Sequence, residues 1–142
     1  MEHSLVLIKP DGVKRSLVGE VINRFERERL KVISIKMFRL NKSEAMAFYA
    51  VHKDKSFFKD LVNYMSSGPI IAMVLEGENA IGRVREIMGA TDPKDAKPGT
   101  IRRDFGLSKT ENTVHGSDSK ETAVLEISFF FSQYDLNQCH KD

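Results

Sequence analysis

Tryptophan is absent from the chain, and cysteine occurs once, at Cys139. A single thiol forms no internal disulfide. This excludes a disulfide-stapled scaffold and points to a reducing, cytoplasmic setting. Charge of one sign is also missing, since 22 Lys and Arg face 20 Asp and Glu for a net charge of +2. That balance speaks against a membrane-surface protein and lets nucleic acid bind at most weakly. Long apolar runs are lacking too. The longest, Ile70 to Leu75, is far below the roughly 20 residues of a membrane-spanning helix. The opening Met-Glu-His-Ser is acidic where a signal peptide is basic. Neither a Walker A pattern nor Gly-x-Gly-x-x-Gly is present, so any phosphate site has to use side chains instead of a glycine cradle.

What is present suffices for one domain over residues 1–142, with 41% hydrophobic residues to fill a core. Leu5 to Ile8 reads as a buried strand closed by a turn at Lys9-Pro10-Asp11-Gly12. Val18, Val21, Ile22 and Phe25 recur at helical spacing. Val32 to Leu40 alternates as a strand, with Ile33, Ile35 and Met37 expected on one face. Asn41 and Glu44 form a capping box for a helix carrying Met46, Phe48 and Tyr49. A second short helix carries Phe57, Phe58, Leu61, Val62 and Met65. Ile70 to Leu75 suits a central strand covered on both faces. Asn79 is expected to cap a helix with Ile81, Val84 and Met88, which leaves through Gly89. Thr91 to Glu111 shows no periodicity, and a structureless stretch of that length is usually functional. Thr113-Val114-His115 is a strand candidate. Gly116 to Ser119 is turn and cap chemistry, and a last helix aligns Ala123, Ile127 and Phe130. Removing the inserted helical pair leaves βαββαβ, an α/β sandwich of ferredoxin-like type with a four-stranded antiparallel sheet.

His115 is the first residue with chemical promise. A histidine at a strand end is ordinarily structural, but this one has particular neighbours. Gly116 is expected to let a bulky group approach the ring, and Ser117 and Ser119 supply hydroxyls. Glu126 lies three residues after Ala123 and four before Phe130, at the edge of the apolar stripe, where a half-buried carboxylate needs a donor. A histidine N–H is such a donor, and the pair would fix which ring nitrogen is free to attack. His3, His52 and His140 read as surface residues. Lys9 ends the first strand, Arg85 lies on an otherwise apolar-faced helix, and Arg102 lies in the long loop. Singly each reads as a solvated charge; together they suggest a phosphate site. Tyr49 and Phe57 read as core aromatics by spacing, with one ring of the Phe57-Phe58 pair free to stack on a base.

The stretch His115-Gly116-Ser117-Asp118-Ser119, preceded by Asn112, resembles the active-site signature of nucleoside diphosphate kinases. Leu7 to Val13, Ser66-Ser67-Gly68-Pro69, Gly89 to Pro93 and Pro98 to Arg102 follow that family's order and spacing over nearly the whole chain. The resemblance implies that His115 becomes phosphohistidine, oriented by Glu126 and Ser117. It implies that Lys9, Tyr49 and Asn112 surround the transferred phosphate and ribose hydroxyl, that Arg85, Thr91 and Arg102 hold the other phosphates, and that Phe57 stacks on the base. ATP or another nucleoside triphosphate would be the donor, Mg²⁺ would arrive with the nucleotide, and the protein would be a homo-oligomer, a hexamer ahead of a tetramer. Ser56, Asp92, Lys109 and the short tail after Phe131 depart from the family's commoner forms. Two other readings share some of these features. One is an RNA-binding βαββαβ module, although the strands lack its aromatics. The other is a phosphohistidine carrier or phosphatase acting without a nucleotide.

Overall fold

The two middle strands of the sheet are apolar on both sides, and this decides the architecture of the computed structural model, which describes residues 1–138. Strand β1 (Glu2–Ile8) pairs antiparallel with β3 (Ile70–Gly77) from Glu2↔Gly77 to Ile8↔Ile71. It pairs antiparallel with β4 (Val114–Gly116) on its other side, and β2 (Lys31–Phe38) pairs with β3. The order β2-β3-β1-β4 is the ferredoxin-like one expected.

Because strand side chains alternate, β1 sends Leu5 and Leu7 to one face and Val6 and Ile8 to the other. The first face is covered by α3 (Lys42–Phe48), α4 (Phe58–Met65) and α7 (Lys120–Phe130), which bury Ala45, Leu61, Val62, Met65, Ala123 and Ile127. The second is covered by α2 (Val18–Glu26), α5 (Ala80–Met88) and α6 (Ile101–Phe105), which bury Val21, Phe25, Val84, Met88 and Ile101. The Asn41–Glu44 capping box opens α3, and Ser119 with Thr122 forms another at α7. Gly89 ends α5 at φ +87°.

Several expectations are corrected. The turn after β1 is a five-residue helix, α1 (Pro10–Lys14), because proline is pre-set for the first helical position. Ile33, Ile35 and Met37 do not share a face. A β-bulge between Val32 and Ser34 shifts the register, so Ile33 is 2% exposed while Ile35 and Met37 are 47% and 61% exposed. Asn79 precedes α5, but at φ +50° its side chain makes no cap. Glu2 Oε1 accepts from the Ile81 N–H at 2.8 Å instead. The stretch from Thr91 to Glu111 is not structureless. It holds a 3₁₀ turn at Pro93–Asp95 and α6, which is capped by Thr100. These elements are too short to show a period. The last helix, α7, closes at Phe131, which is buried, and α8 (Gln133–Gln138) follows. His3 is only partly exposed and pairs with Glu76 at 2.9 Å. Cys139 and His140 lie outside the described residues.

Candidate active site

Within β4, Val114 faces α5 and His115 faces the opposite layer, where α7 and the end of α3 meet. The α7 capping box sets the phase of the helix so that Ala123 and Ile127 enter the core and Glu126 meets the ring. His115 Nε2 lies 3.1 and 3.0 Å from the two Glu126 carboxylate oxygens. Both side chains are about one-fifth exposed, at 21% and 20%. The Ser117 hydroxyl donates to Glu126 at 2.8 Å and accepts from the Leu5 N–H at 3.1 Å. The edges of Phe48 and Tyr49 confine the ring, with centroids 5.5 and 6.2 Å away. Nε2 therefore donates to the carboxylate, and Nδ1 keeps its lone pair. Nδ1 has no hydrogen-bond partner among the described residues.

Gly116 has a different reason for being glycine than access to the ring. A Cβ there would lie 2.7 Å from Met88 Cε and 2.9 Å from Val84 Cγ1. Its missing side chain lets α5 approach the sheet.

The cations gather next to this pair. Lys9 is buried at the end of β1, and its ammonium donates to Asn112 Oδ1 at 2.8 Å and to the Thr110 carbonyl at 3.3 Å. Burial, and then the neighbouring Arg102 guanidinium, push Lys9 down from 10.5 to about 7, while Asp11 pulls the other way. The Asn112 amide donates to the Thr91 carbonyl at 3.0 Å. Arg102 bonds the Gly89 carbonyl at 3.1 Å and the Val114 carbonyl at 2.8 Å. Burial, and then Arg85, lower its pKa to about 10. Arg85 itself is exposed. The Asp118 carboxyl is held below its usual range, chiefly by the Thr122 hydroxyl, with Arg85 and His115 adding to the effect. Tyr49 OH and Arg102 Nε are buried with no partner among the described residues. Burial, and then Glu126, raise the Tyr49 pKa, so the phenol stays a donor.

The structure thus joins His115, Glu126, Ser117 and Tyr49 in one cluster, and Lys9, Asn112, Arg102 and the Thr91 backbone in a second. The Val114 carbonyl connects the second to β4. Phe57 stands just before α4, 45% exposed, with its ring 5.5 Å from His52. Lys109 and Ser56 are exposed. Among the described residues no group of three or more His, Cys, Asp or Glu could hold a metal ion, and no helix is long and apolar enough to cross a membrane.

Thr113, expected to begin the strand, instead lies just before it, fully buried at φ +75°. A β-branched residue there stores about 1–3 kcal/mol of strain. That is comparable to the roughly 1.5–3 kcal/mol gained by burying one apolar side chain such as Val114. Only a glycine or asparagine would have signalled the conformation in advance. Sequence reasoning missed Asp11 and Tyr64, which contact Thr113 directly or through each other.

The family model described as nucleoside diphosphate kinase matches residues 2–136. A curated nucleoside diphosphate kinase from Wolinella succinogenes is 57% identical over 137 residues, covering 96% of this chain and 100% of that protein. One from Nitratiruptor sp. is 55% identical over 136 residues, covering 96% and 99%. Among solved structures, the Aquifex aeolicus nucleoside diphosphate kinase superposes with a TM-score of 0.93 at 45% identity, covering 94% of this chain and 97% of that one. The Halobacterium salinarum nucleoside diphosphate kinase in complex with CDP gives 0.93 at 43% identity, covering 99% and 94%.

Proposed function

The chain belongs to the nucleoside diphosphate kinase family, enzymes that move the terminal phosphate of a nucleoside triphosphate onto a nucleoside diphosphate by a ping-pong mechanism, and from that premise we propose how its own residues do so. His115 is the nucleophile. The observation that carries this reading is the Glu126 carboxylate on Nε2, which leaves the Nδ1 lone pair free. Nδ1 forms a bond to the terminal phosphorus as the bond from that phosphorus to the bridging oxygen breaks, and the nucleoside diphosphate leaves with the electron pair. The ring then carries phosphate on Nδ1 and a proton on Nε2, and Glu126 stabilises its positive charge. Ser117 holds Glu126 in line. An acceptor diphosphate oxygen then attacks the same phosphorus, and the N–P bond breaks to restore neutral His115.

Lys9, Tyr49 and Asn112 surround the transferred phosphate and ribose hydroxyl, while Arg85, Thr91 and Arg102 hold the remaining phosphates. Phosphoryl transfer depends mainly on positioning and on neutralising charge, and these groups supply both. Phe57 stacks on the base, and the relative solved with CDP supports a diphosphate fitting such a site. Mg²⁺ enters on the nucleotide phosphates, its usual mode of binding. Residues 1–142 act as one domain, in the cytoplasm where these nucleotides are used, with nucleic acid a weak ligand at most.

The assembly is a homo-oligomer of dimers, a hexamer ahead of a tetramer. Support comes from Ile35 and Met37, exposed on edge strand β2, from Phe129 at 42% exposure, and from the exposed Lys97-Pro98-Gly99 loop. Light scattering that returned a 16.1 kDa particle would contradict it. For the chemistry, the test is incubation with a γ-labelled triphosphate. The label is expected on His115, labile to acid and discharged by added diphosphate. Acid-stable label, or release to water alone, would refute the mechanism.

A further inference from the structure

In Lys9-Pro10-Asp11-Gly12, only Lys9 has a part in the chemistry above. Asp11 is 5% exposed although it carries a carboxylate. Its Oδ2 accepts from the Thr113 hydroxyl at 2.9 Å, and its Oδ1 accepts from the Thr113 N–H at 3.3 Å. The Tyr64 hydroxyl donates to Oδ1 and accepts from the Asp11 N–H at 2.8 Å. Arg15 is more distant, 4.0 Å from Oδ2. A Cβ on Gly12 would lie 2.8 Å from Ile8 Cγ2 and 3.2 Å from Thr113 Cγ2, so glycine leaves room for the Thr113 methyl. Thr113 returns a contact to the site: its carbonyl accepts from the Lys9 N–H at 2.8 Å.

We propose that Asp11, braced by Tyr64, is a positioning residue for phosphoryl transfer: its carboxylate clamps Thr113 in the left-handed conformation. The clamp sets Asn112 and Lys9 on one side and Val114-His115 on the other. A threonine does not hold φ +75° unaided, and the carboxylate occupies both of its free donors. If the clamp opens, the chain between Asn112 and His115 relaxes toward negative φ. The two groups that must meet one phosphate then move apart. The inference rests on the roles proposed above for His115, Lys9 and Asn112.

The experiment is a rescue. Asp11→Ala is expected to lower kcat by about thirtyfold to a hundredfold, the scale of an ångström-size misplacement. KM for the nucleotide should stay within about threefold, because Phe57, Arg85 and Arg102 are untouched. Adding Thr113→Gly should bring kcat back to within about fivefold of the parent, since glycine adopts positive φ without a clamp. A purely structural Asp11 predicts the opposite. Thr113→Gly removes a buried side chain, so it would leave the double variant no faster than Asp11→Ala, and that result overturns the inference. A rise in KM with kcat unchanged overturns it too. Should Asp11→Ala not fold by circular dichroism, Asp11→Asn takes its place, with a several-fold loss of kcat and the same rescue required. Tyr64→Phe should lose less kcat than either. Labelling of the unaltered protein is mapped in parallel, with His115→Ala as control. Label that persists in His115→Ala overturns the nucleophile assignment, whereas label on His115 with no rescue overturns the clamp alone.

Discussion

The two halves of the site are built on opposite terms. At the nucleophile, polar groups are matched: Glu126 accepts from His115 and Ser117, and Ser117 accepts from Leu5. At the phosphate side they are in conflict. Lys9 and Arg102 are buried near each other, and both have lost affinity for protons. Among the described residues Arg102 Nε has no partner, and beside the nucleophile Tyr49 OH has none either. Unpaired donors and repelling cations cost stability in the free protein. On the roles proposed above, an incoming triphosphate would relieve that cost by bringing the missing negative charge and acceptors. In that proposal the matched half is organised before substrate arrives, and the conflicted half would be completed by substrate.

Removing the nucleophile should have the largest effect. His115→Ala is expected to cut kcat/KM by at least about 10⁴-fold and to abolish labelling. Nucleotide affinity, measured by calorimetry, should survive because the phosphate side is intact. Loss of affinity together with rate would show that the halves are not separable. Glu126→Ala comes next, with about a hundredfold loss in kcat, since the ring loses its orientation and its countercharge while Nδ1 remains. Steady-state kinetics read this directly, and an unchanged kcat would contradict the matched-half argument. Tyr49→Phe is milder in rate and has the opposite sign in stability. Deleting a hydroxyl that has no partner among the described residues should raise stability by about 1 kcal/mol, visible as a melting point a few degrees higher. It should lower kcat by about tenfold. A lower melting point would mean that the hydroxyl is satisfied in the free protein.

The same contrast explains what could be read from the sequence. Leu5 to Ile8 and Ile70 to Leu75 announce central strands, because burial on both faces forces continuous apolar runs. The Glu126 partnership was legible because helical period and strand end together fix where the carboxylate points. Features set by single backbone angles were not legible. The bulge at Ile33 looks like ordinary alternation, and only pairing with β3 reveals the slip that leaves Ile35 and Met37 exposed. Thr113 at φ +75° carries no glycine to mark it. Gly116 was visible, but its reason was not, since Met88 and Val84 reach it through the fold from α5. Phe57 was legible mainly through resemblance, and in the free protein its ring is 45% exposed.

The smallest expected effect tests the conflicted half at a single proton. Lys9 sits at about 7, down from 10.5, because it is buried and faces Arg102, with Asp11 only partly opposing. Between those two values the unfolded chain holds more protons on Lys9 than the folded protein does. Stability from this residue therefore rises with pH across the window, and the full cost of burying its charge is present below about pH 7. A bound phosphate reverses the balance by favouring the charged form, so Lys9 must regain its proton when nucleotide binds. At pH 8 the free enzyme holds Lys9 mostly neutral, and binding should take up about one proton; at pH 6 Lys9 is already charged and uptake should vanish. Calorimetric titration with a nucleoside diphosphate at both pH values, in buffers of different ionisation enthalpy, measures the uptake directly. Lys9→Met supplies the baseline for protons exchanged by the nucleotide itself. Equal uptake by the unaltered protein and Lys9→Met at pH 8 would mean that Lys9 is charged before substrate arrives, and that the phosphate side is less conflicted than its geometry implies.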